Sequence, residues 1–198
     1  GVLVDPNMDM KEAIVRRPTL NFFVVPSNLD LVMAESELAG KIGREKALQK
    51  KLAPLKADFD YIFIDCPPSL GLLTVNALTA ADGVIIPVQC EYYALEGPGA
   101  LHDTIRRIQA ALSPGLANEG ILLTMFDVRN NLSHQVANEV KKHFKDKVFS
   151  TIIPRNIRLS EAPSHGKPVL LYDVHSKGAE SYLNLAREIM MDGKINGN

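Results

Sequence analysis

The sequence predicts an α/β protein with a doubly wound, mostly parallel sheet flanked by helices, and three observations predict it. Short, nearly continuous apolar runs recur at 20–25, 61–64, 84–88, 121–125 and 148–153; stretches of helical periodicity lie between and beyond them at 29–52, 72–80, 100–112, 133–144 and 176–191; and chemically distinctive loops follow the runs. A continuous apolar run is a strand covered on both faces, whereas a strand with one wet face alternates. Strands covered on both faces and separated by helices build right-handed crossovers, and such sheets bind ligands at the carboxyl ends of their strands. Local punctuation fits this order. Asp9 is placed to cap a short helix running to Arg16, Ser133 to cap the helix that ends near Phe144, and Gly120 to precede its strand.

Composition narrows the functional classes. A chain of 198 residues with 46% hydrophobic and 23% charged residues has enough apolar material for a real core, and it predicts one domain over 1–198. A formal net charge of -1 excludes a bulk electrostatic drive toward nucleic acid and leaves only local basic clusters. Two cysteines, Cys66 and Cys90, fit a reducing compartment, hence a cytoplasmic protein, and both are expected to be buried thiols. No apolar run approaches the roughly 18–20 residues of a membrane span. The opening at Gly1, with no initiator Met, suggests a fragment.

The most informative stretch is Phe59-Asp60-Tyr61-Ile62-Phe63-Ile64-Asp65, an apolar run that ends on a carboxylate. A nucleotide-binding fold places there the acid that holds magnesium through water; the plainer reading is that Asp65 caps a turn. Pro67 and Pro68 favour the first, because two fixed φ angles directly after the acid make a stiff loop, which Gly71 closes. Three more loops follow predicted strands: Gln-Cys-Glu-Tyr-Tyr at 89–93, Phe-Asp-Val-Arg at 126–129 and Pro-Arg-Asn-Ile-Arg at 154–158. All four are expected on one edge of the sheet. Tyr92 and Tyr93 suit either stacking on a base or packing at a helix entry.

These segments, in this order, resemble the ParA/Soj-type partition ATPases. Asp65-Cys-Pro-Pro-Ser-Leu-Gly71 resembles that family's Walker B and switch segment. Further similarity lies in Pro87–Gly97, in Leu123-Thr-Met-Phe-Asp127 and in the stretch 151–168, and it covers the chain from about Leu20 onward. The resemblance implies that Asp65 organises Mg2+ and the attacking water, and that Met125, Pro154, Arg155 and Asn156 line the adenine and ribose of ATP. It further implies that Arg129 and Arg158 make sequence-independent contacts to double-stranded DNA in an ATP-sandwich homodimer. A ParB-like partner would stimulate hydrolysis, and the protein would be cytoplasmic and associated with the nucleoid. A membrane-tethered cousin would carry a basic amphipathic terminal helix; the ending Asp192-Gly-Lys-Ile-Asn-Gly-Asn198 is too polar for that.

One departure stands out: the family's phosphate loop, of the form KGGxGKT, is not found among these residues. The stretch Gly40-Lys41-Ile42-Gly43-Arg44 has the wrong spacing and no preceding apolar strand, so it cannot present a row of N–H groups to phosphate. Val2–Asn7 runs straight into a helical pattern, so the first strand, the phosphate loop and the second acidic motif are expected upstream of Gly1. The chain as written is then expected to lack ATPase activity, with an unpaired interior edge beside 61–64. The alternative is a non-catalytic, truncated or degenerate relative that keeps DNA or partner contacts.

Overall fold

A computed structural model describes residues 1–17, 22–67, 69, 71–91 and 96–191, with the side chains of 96–102 and 118–119 excepted. Pro68, Leu20, Tyr92 and Tyr93 therefore lie outside the described residues. The chain divides into two compact units, Gly1–Ala81 with Thr104–Leu116, and Asp82–Asp103 with Ala117–Asn198.

In the first unit, Asp9 accepts a hydrogen bond from Lys11 N–H and caps a 3-10 turn over Met10–Ala13. The predicted helix stops there, because the chain then becomes strand β1 (Val15–Arg17), paired antiparallel with β2 (Phe22–Val24). The β-branched Ile14 and Val15 suit extended backbone better than a helix interior. The long helical pattern at 29–52 likewise breaks into α1 (Leu31–Ala39), a 3-10 turn and α2 (Ala47–Leu52). Gly40 ends α1, and Gly43 turns the chain in the left-handed region at φ 71°. Helix α3 (Leu72–Ala80) lies where the periodicity places it. It is anchored to α2 by Asn76, 1% exposed, whose Oδ1 accepts from Leu48 N–H (3.1 Å) while its Nδ2 donates to the carbonyls of Arg44 (2.9 Å) and Leu72 (3.0 Å). Around them Met10, Leu52, Leu55 and Ala80 form a core, flanked by Val2, Ile14, Leu48, Phe59 and Ile64.

The predicted strand at 61–64 does not form. The segment takes up no regular element and finds no ladder partner among the described residues, and Phe63 is 76% exposed. A strand exists only through a neighbour that takes its N–H and C=O groups.

The second unit carries the parallel sheet. Strand β3 (Gly83–Gln89) pairs in parallel with β4 (Ala117–Thr124), and the bridges Ile121↔Val148 and Phe126↔Pro154 lay a third, extended segment beside β4. Gly120 lies inside β4 instead of preceding it: Val84 pairs with Asn118 but Ile85 with Gly120, a slip of one residue. Its φ of +154° and the approach of Phe149, whose ring would meet an added Cβ at 2.9 Å, admit only glycine. Helix α4 spans Glu96–Ala111 and leads toward β4. Helix α5 (Asn131–Phe144) is capped by Asn130, whose side chain accepts from Leu132 N–H, and not by Ser133. Ser133 is buried one turn further in, where its hydroxyl donates to the Cys90 carbonyl at 3.1 Å. With Val136, Ala137 and Val140 it makes the buried stripe of an amphipathic helix. After α6 (Ile157–Glu161) and α7 (Val169–Tyr172), α8 (Lys177–Met191) sets Leu185 and Ile189 against Leu122, Phe149 and Ile153.

Candidate nucleotide site

Three of the four distinctive loops meet at the carboxyl ends of β3 and β4. The chain leaves β3 through Cys90 and Glu91, leaves β4 through Met125 and Asp127, and returns through Pro154 and Arg155; Arg155 N–H donates to the Phe126 carbonyl at 2.9 Å. Between them lies a pocket of ≈ 330 Å³ lined by Cys90, Glu91, Met125, Asp127, Asn130, Leu132, Ser133 and Arg155. That is the low end of small-molecule sites, about 300–1,000 Å³, and suits a base and part of a sugar better than a whole nucleoside triphosphate. Met125 and Leu132 supply apolar walls. Met125 adopts φ 55°, a left-handed conformation that an unbranched side chain tolerates only under constraint from its surroundings.

Charge is distributed in pairs around this pocket. Arg155 donates through Nη2 to Glu91 Oε1 at 2.5 Å, both half-exposed. Asp127 accepts at Oδ1 from the backbone N–H (3.0 Å) and Nε (3.2 Å) of Arg129, and at Oδ2 from Arg129 Nη2 (3.2 Å). These bonds, chiefly the side-chain ones, hold the Asp127 carboxyl below its ordinary value and the Arg129 guanidinium above its own. Cys90 is 1% exposed, and burial pushes its thiol up to about 11, so it is a packing group and not a nucleophile.

Of the residues expected to line a nucleotide, Met125 and Arg155 do line the pocket, Pro154 adjoins it through its bridge to Phe126, and Asn156 serves locally, its Oδ1 capping α6 at Arg158 N–H (2.9 Å). Glu91 and Asp127 were within the quoted loops but drew no role from sequence. An acid beside aromatic or apolar residues gives no signal until the fold brings its partner arginine near. Arg158 is engaged as well: it bonds Glu161 at 2.8 Å and Asp173 at 3.3 Å, and Tyr172 O–H donates to the same Glu161 oxygen at 3.1 Å.

In the other unit, Asp65 lies exposed directly after the 61–64 run. Cys66 beside it is exposed, not buried as expected. Desolvation and the Asp65 charge push its thiol up. Gly71 is the N-cap of α3, and an added Cβ there would come within 2.5 Å of Glu35 Oε1 and displace that carboxylate. That same oxygen accepts from Leu73 N–H at 3.1 Å and so satisfies a donor of the helix's first turn. An exposed carboxylate on a stiff loop fits water-mediated Mg2+, which keeps most of its own waters. No helix of the described residues is long and apolar enough to cross a membrane.

A family model described as an AAA domain matches residues 2–118. Among curated relatives, the sporulation initiation inhibitor protein Soj of Bacillus subtilis is 56% identical over 192 residues, 97% of this chain and 76% of that protein. The chromosome partitioning protein ParA of Myxococcus xanthus is 60% identical over 167 residues, 84% of this chain but 59% of that protein. A crystal structure of cobyrinic acid a,c-diamide synthase from Mycobacterium smegmatis with bound ADP and magnesium superposes with TM-score 0.83 at 37% identity, over 98% of this chain and 71% of that one. The order of motifs, the parallel sheet and these identities agree, and the chain belongs to the ParA/Soj family of partition ATPases.

Proposed function

We propose that the chain furnishes the base pocket and the magnesium-organising carboxylate of an ATP-hydrolysing partition protein, within one nucleotide-binding domain. The observation that carries this reading is the pocket at the carboxyl ends of β3 and β4, which apolar Met125 and the Glu91–Arg155 pair both line. Adenine is flat and apolar on its faces and polar at its edge, and such a pocket suits both. Asp65 would hold the waters around magnesium and orient the one that attacks the γ-phosphate. Pro67, Pro68 and Gly71 would keep that acid on a loop that responds to the phosphate. Bound magnesium supplies charge neutralisation on the phosphate oxygens, so catalysis is positioning and electrostatics. Arg129 and Arg158 would meet DNA phosphate without reading sequence, in a homodimer whose hydrolysis a ParB-like partner stimulates. Kinship with Soj and ParA supports partition as the process.

A second reading is a binding module that keeps DNA or partner contacts without nucleotide chemistry. Equilibrium binding of a fluorescent ATP analogue with magnesium distinguishes the two. This chain, Asp65→Ala and Arg155→Ala variants, and a version joined to an upstream strand and glycine-lysine loop are compared. Tight binding and hydrolysis by the joined version, weakened by Arg155→Ala and with hydrolysis abolished by Asp65→Ala, is the expected result. No binding by any version, with DNA affinity retained, establishes the binding module instead.

A further inference from the structure

We propose that Asp127 is a latch on Arg129: the pocket-lining carboxylate holds the guanidinium that would otherwise meet DNA phosphate, so pocket and DNA contact share one acid. The inference rests on the reading of Arg129 as a DNA contact and adds its restraint. Its basis is geometric. Arg129 grips Asp127 with two side-chain nitrogens and its own backbone N–H, all at 3.0–3.2 Å. Asp127 lines the pocket whereas Arg129 does not, and the Arg129 side chain is 86% exposed against 24% for Asp127. The guanidinium that does line the pocket, Arg155, is engaged by Glu91 at 2.5 Å.

The turn that carries the pair is braced independently of the latch. Asn130 N–H donates to the Asp127 carbonyl (3.0 Å), His134 Nε2 bonds the Val128 carbonyl (2.9 Å), and the Phe126 and His134 rings meet edge-on at 5.0 Å. Arg129 can therefore leave by rotating its side chain, with the turn unchanged. Phosphate and carboxylate offer the same planar pair of acceptors to a guanidinium, so DNA and Asp127 compete for one group. A ligand in the pocket that draws on Asp127 as an acceptor would loosen its hold on Arg129. An exposed ion pair is weak, which sets the restraint at about two- to fivefold in affinity; that suits a latch that must open.

The test is fluorescence anisotropy of a short random-sequence DNA duplex with the 198-residue chain and the variants Asp127→Asn, Arg129→Ala and the double variant. Asparagine keeps the acceptor for the Arg129 N–H but loses the charge, and thermal melting verifies that each variant folds. The latch predicts that Asp127→Asn tightens binding about two- to fivefold, that Arg129→Ala weakens it, and that the double variant behaves as Arg129→Ala alone. Equal tightening with and without Arg129 would show mere loss of negative charge and overturn the latch. No effect of Asp127→Asn where Arg129→Ala weakens binding overturns the latch but leaves the DNA contact standing; no effect of Arg129→Ala overturns the contact itself. A measurement that needs no variant is nitrogen NMR of the Arg129 Nε–H during duplex titration. A latch requires that signal to move as carboxylate is exchanged for phosphate, and a stationary signal sinks it.

Discussion

At the scale of single residues, the polar groups of this chain are placed where a backbone group would otherwise go without a partner. Asn76 is the clearest case: at 1% exposure its amide serves one N–H and two carbonyls from three different parts of the first unit. Replacing it with leucine keeps the branched shape at larger volume but strands Leu48 N–H and the Arg44 carbonyl, at about 1–3 kcal/mol for each group left buried and unpaired. Asn76→Leu should therefore lower the urea midpoint of the chain at unchanged slope. Glu188 on α8 does similar work at the surface, accepting from Ser150 N–H at 2.6 Å and Thr151 N–H at 2.9 Å. Burial alone would raise its carboxyl, yet the hydrogen bonds from Thr151 and Ser150 together hold it below its ordinary value of 4.5. A depressed folded value means that the stabilisation is complete above pH 4.5 and is lost as pH falls through that lower value. Glu188→Gln should cost about 1–2 kcal/mol at neutral pH, and the gap between wild type and variant should close on acidification, as read by denaturant unfolding at stepped pH.

Elements were legible in the sequence wherever periodicity and local chemistry agreed. Helix α3 begins and ends where its apolar pattern does, and Asp9 is a cap as expected, although of a 3-10 turn over Met10–Ala13 and not of a helix running to Arg16. The failures have local physical causes. The 29–52 pattern is apolar at helical spacing throughout, but Gly43 requires left-handed backbone, and a pattern of hydrophobicity does not register φ. Ser133 reads as a cap because its neighbours do, yet Asn130 reaches the free N–H groups first and leaves the serine to seal the Cys90 carbonyl. Gly120 was placed before its strand because glycine punctuates; inside β4 it instead lets Phe149 lie against the sheet at a one-residue slip. Gly120→Ala is strained at the positive φ and would crowd both the Lys147 carbonyl and the Phe149 ring, each 2.9 Å from an added Cβ, at about 1–3 kcal/mol. The chain should unfold at lower denaturant, and the amides of 121–124 should exchange faster with solvent than those of α5.

For the whole molecule, the candidate site was legible in the order of its loops and only partly in its contacts. Met125 and Arg155 line one pocket, and the ion pairs of Arg129 with Asp127 and of Arg158 with Glu161 join neighbours two and three positions away, but that of Arg155 reaches 64 positions to Glu91. Sequence spacing carries no information about a partner that distant. The same limit applies to the run at 61–64, whose apolar character marks an interior strand although the described residues offer it no ladder. Ile62 is 39% exposed and Phe63 76%, and on the same unit Phe22 is 54% and Val25 45% exposed. Large side chains in water beside backbone without a ladder partner among the described residues form a surface that drives edge-to-edge association. The chain alone should then scatter light increasingly with concentration and bind a hydrophobic dye while keeping its helical circular dichroism. A single charge at the most exposed of the run should counter this, since a lysine there must be desolvated for a second strand to pair. Phe63→Lys is expected to lower both scattering and dye binding with little loss of thermal stability, because Phe63 contributes little burial to lose. Unchanged scattering in Phe63→Lys would place the association on another surface and acquit the 61–64 run.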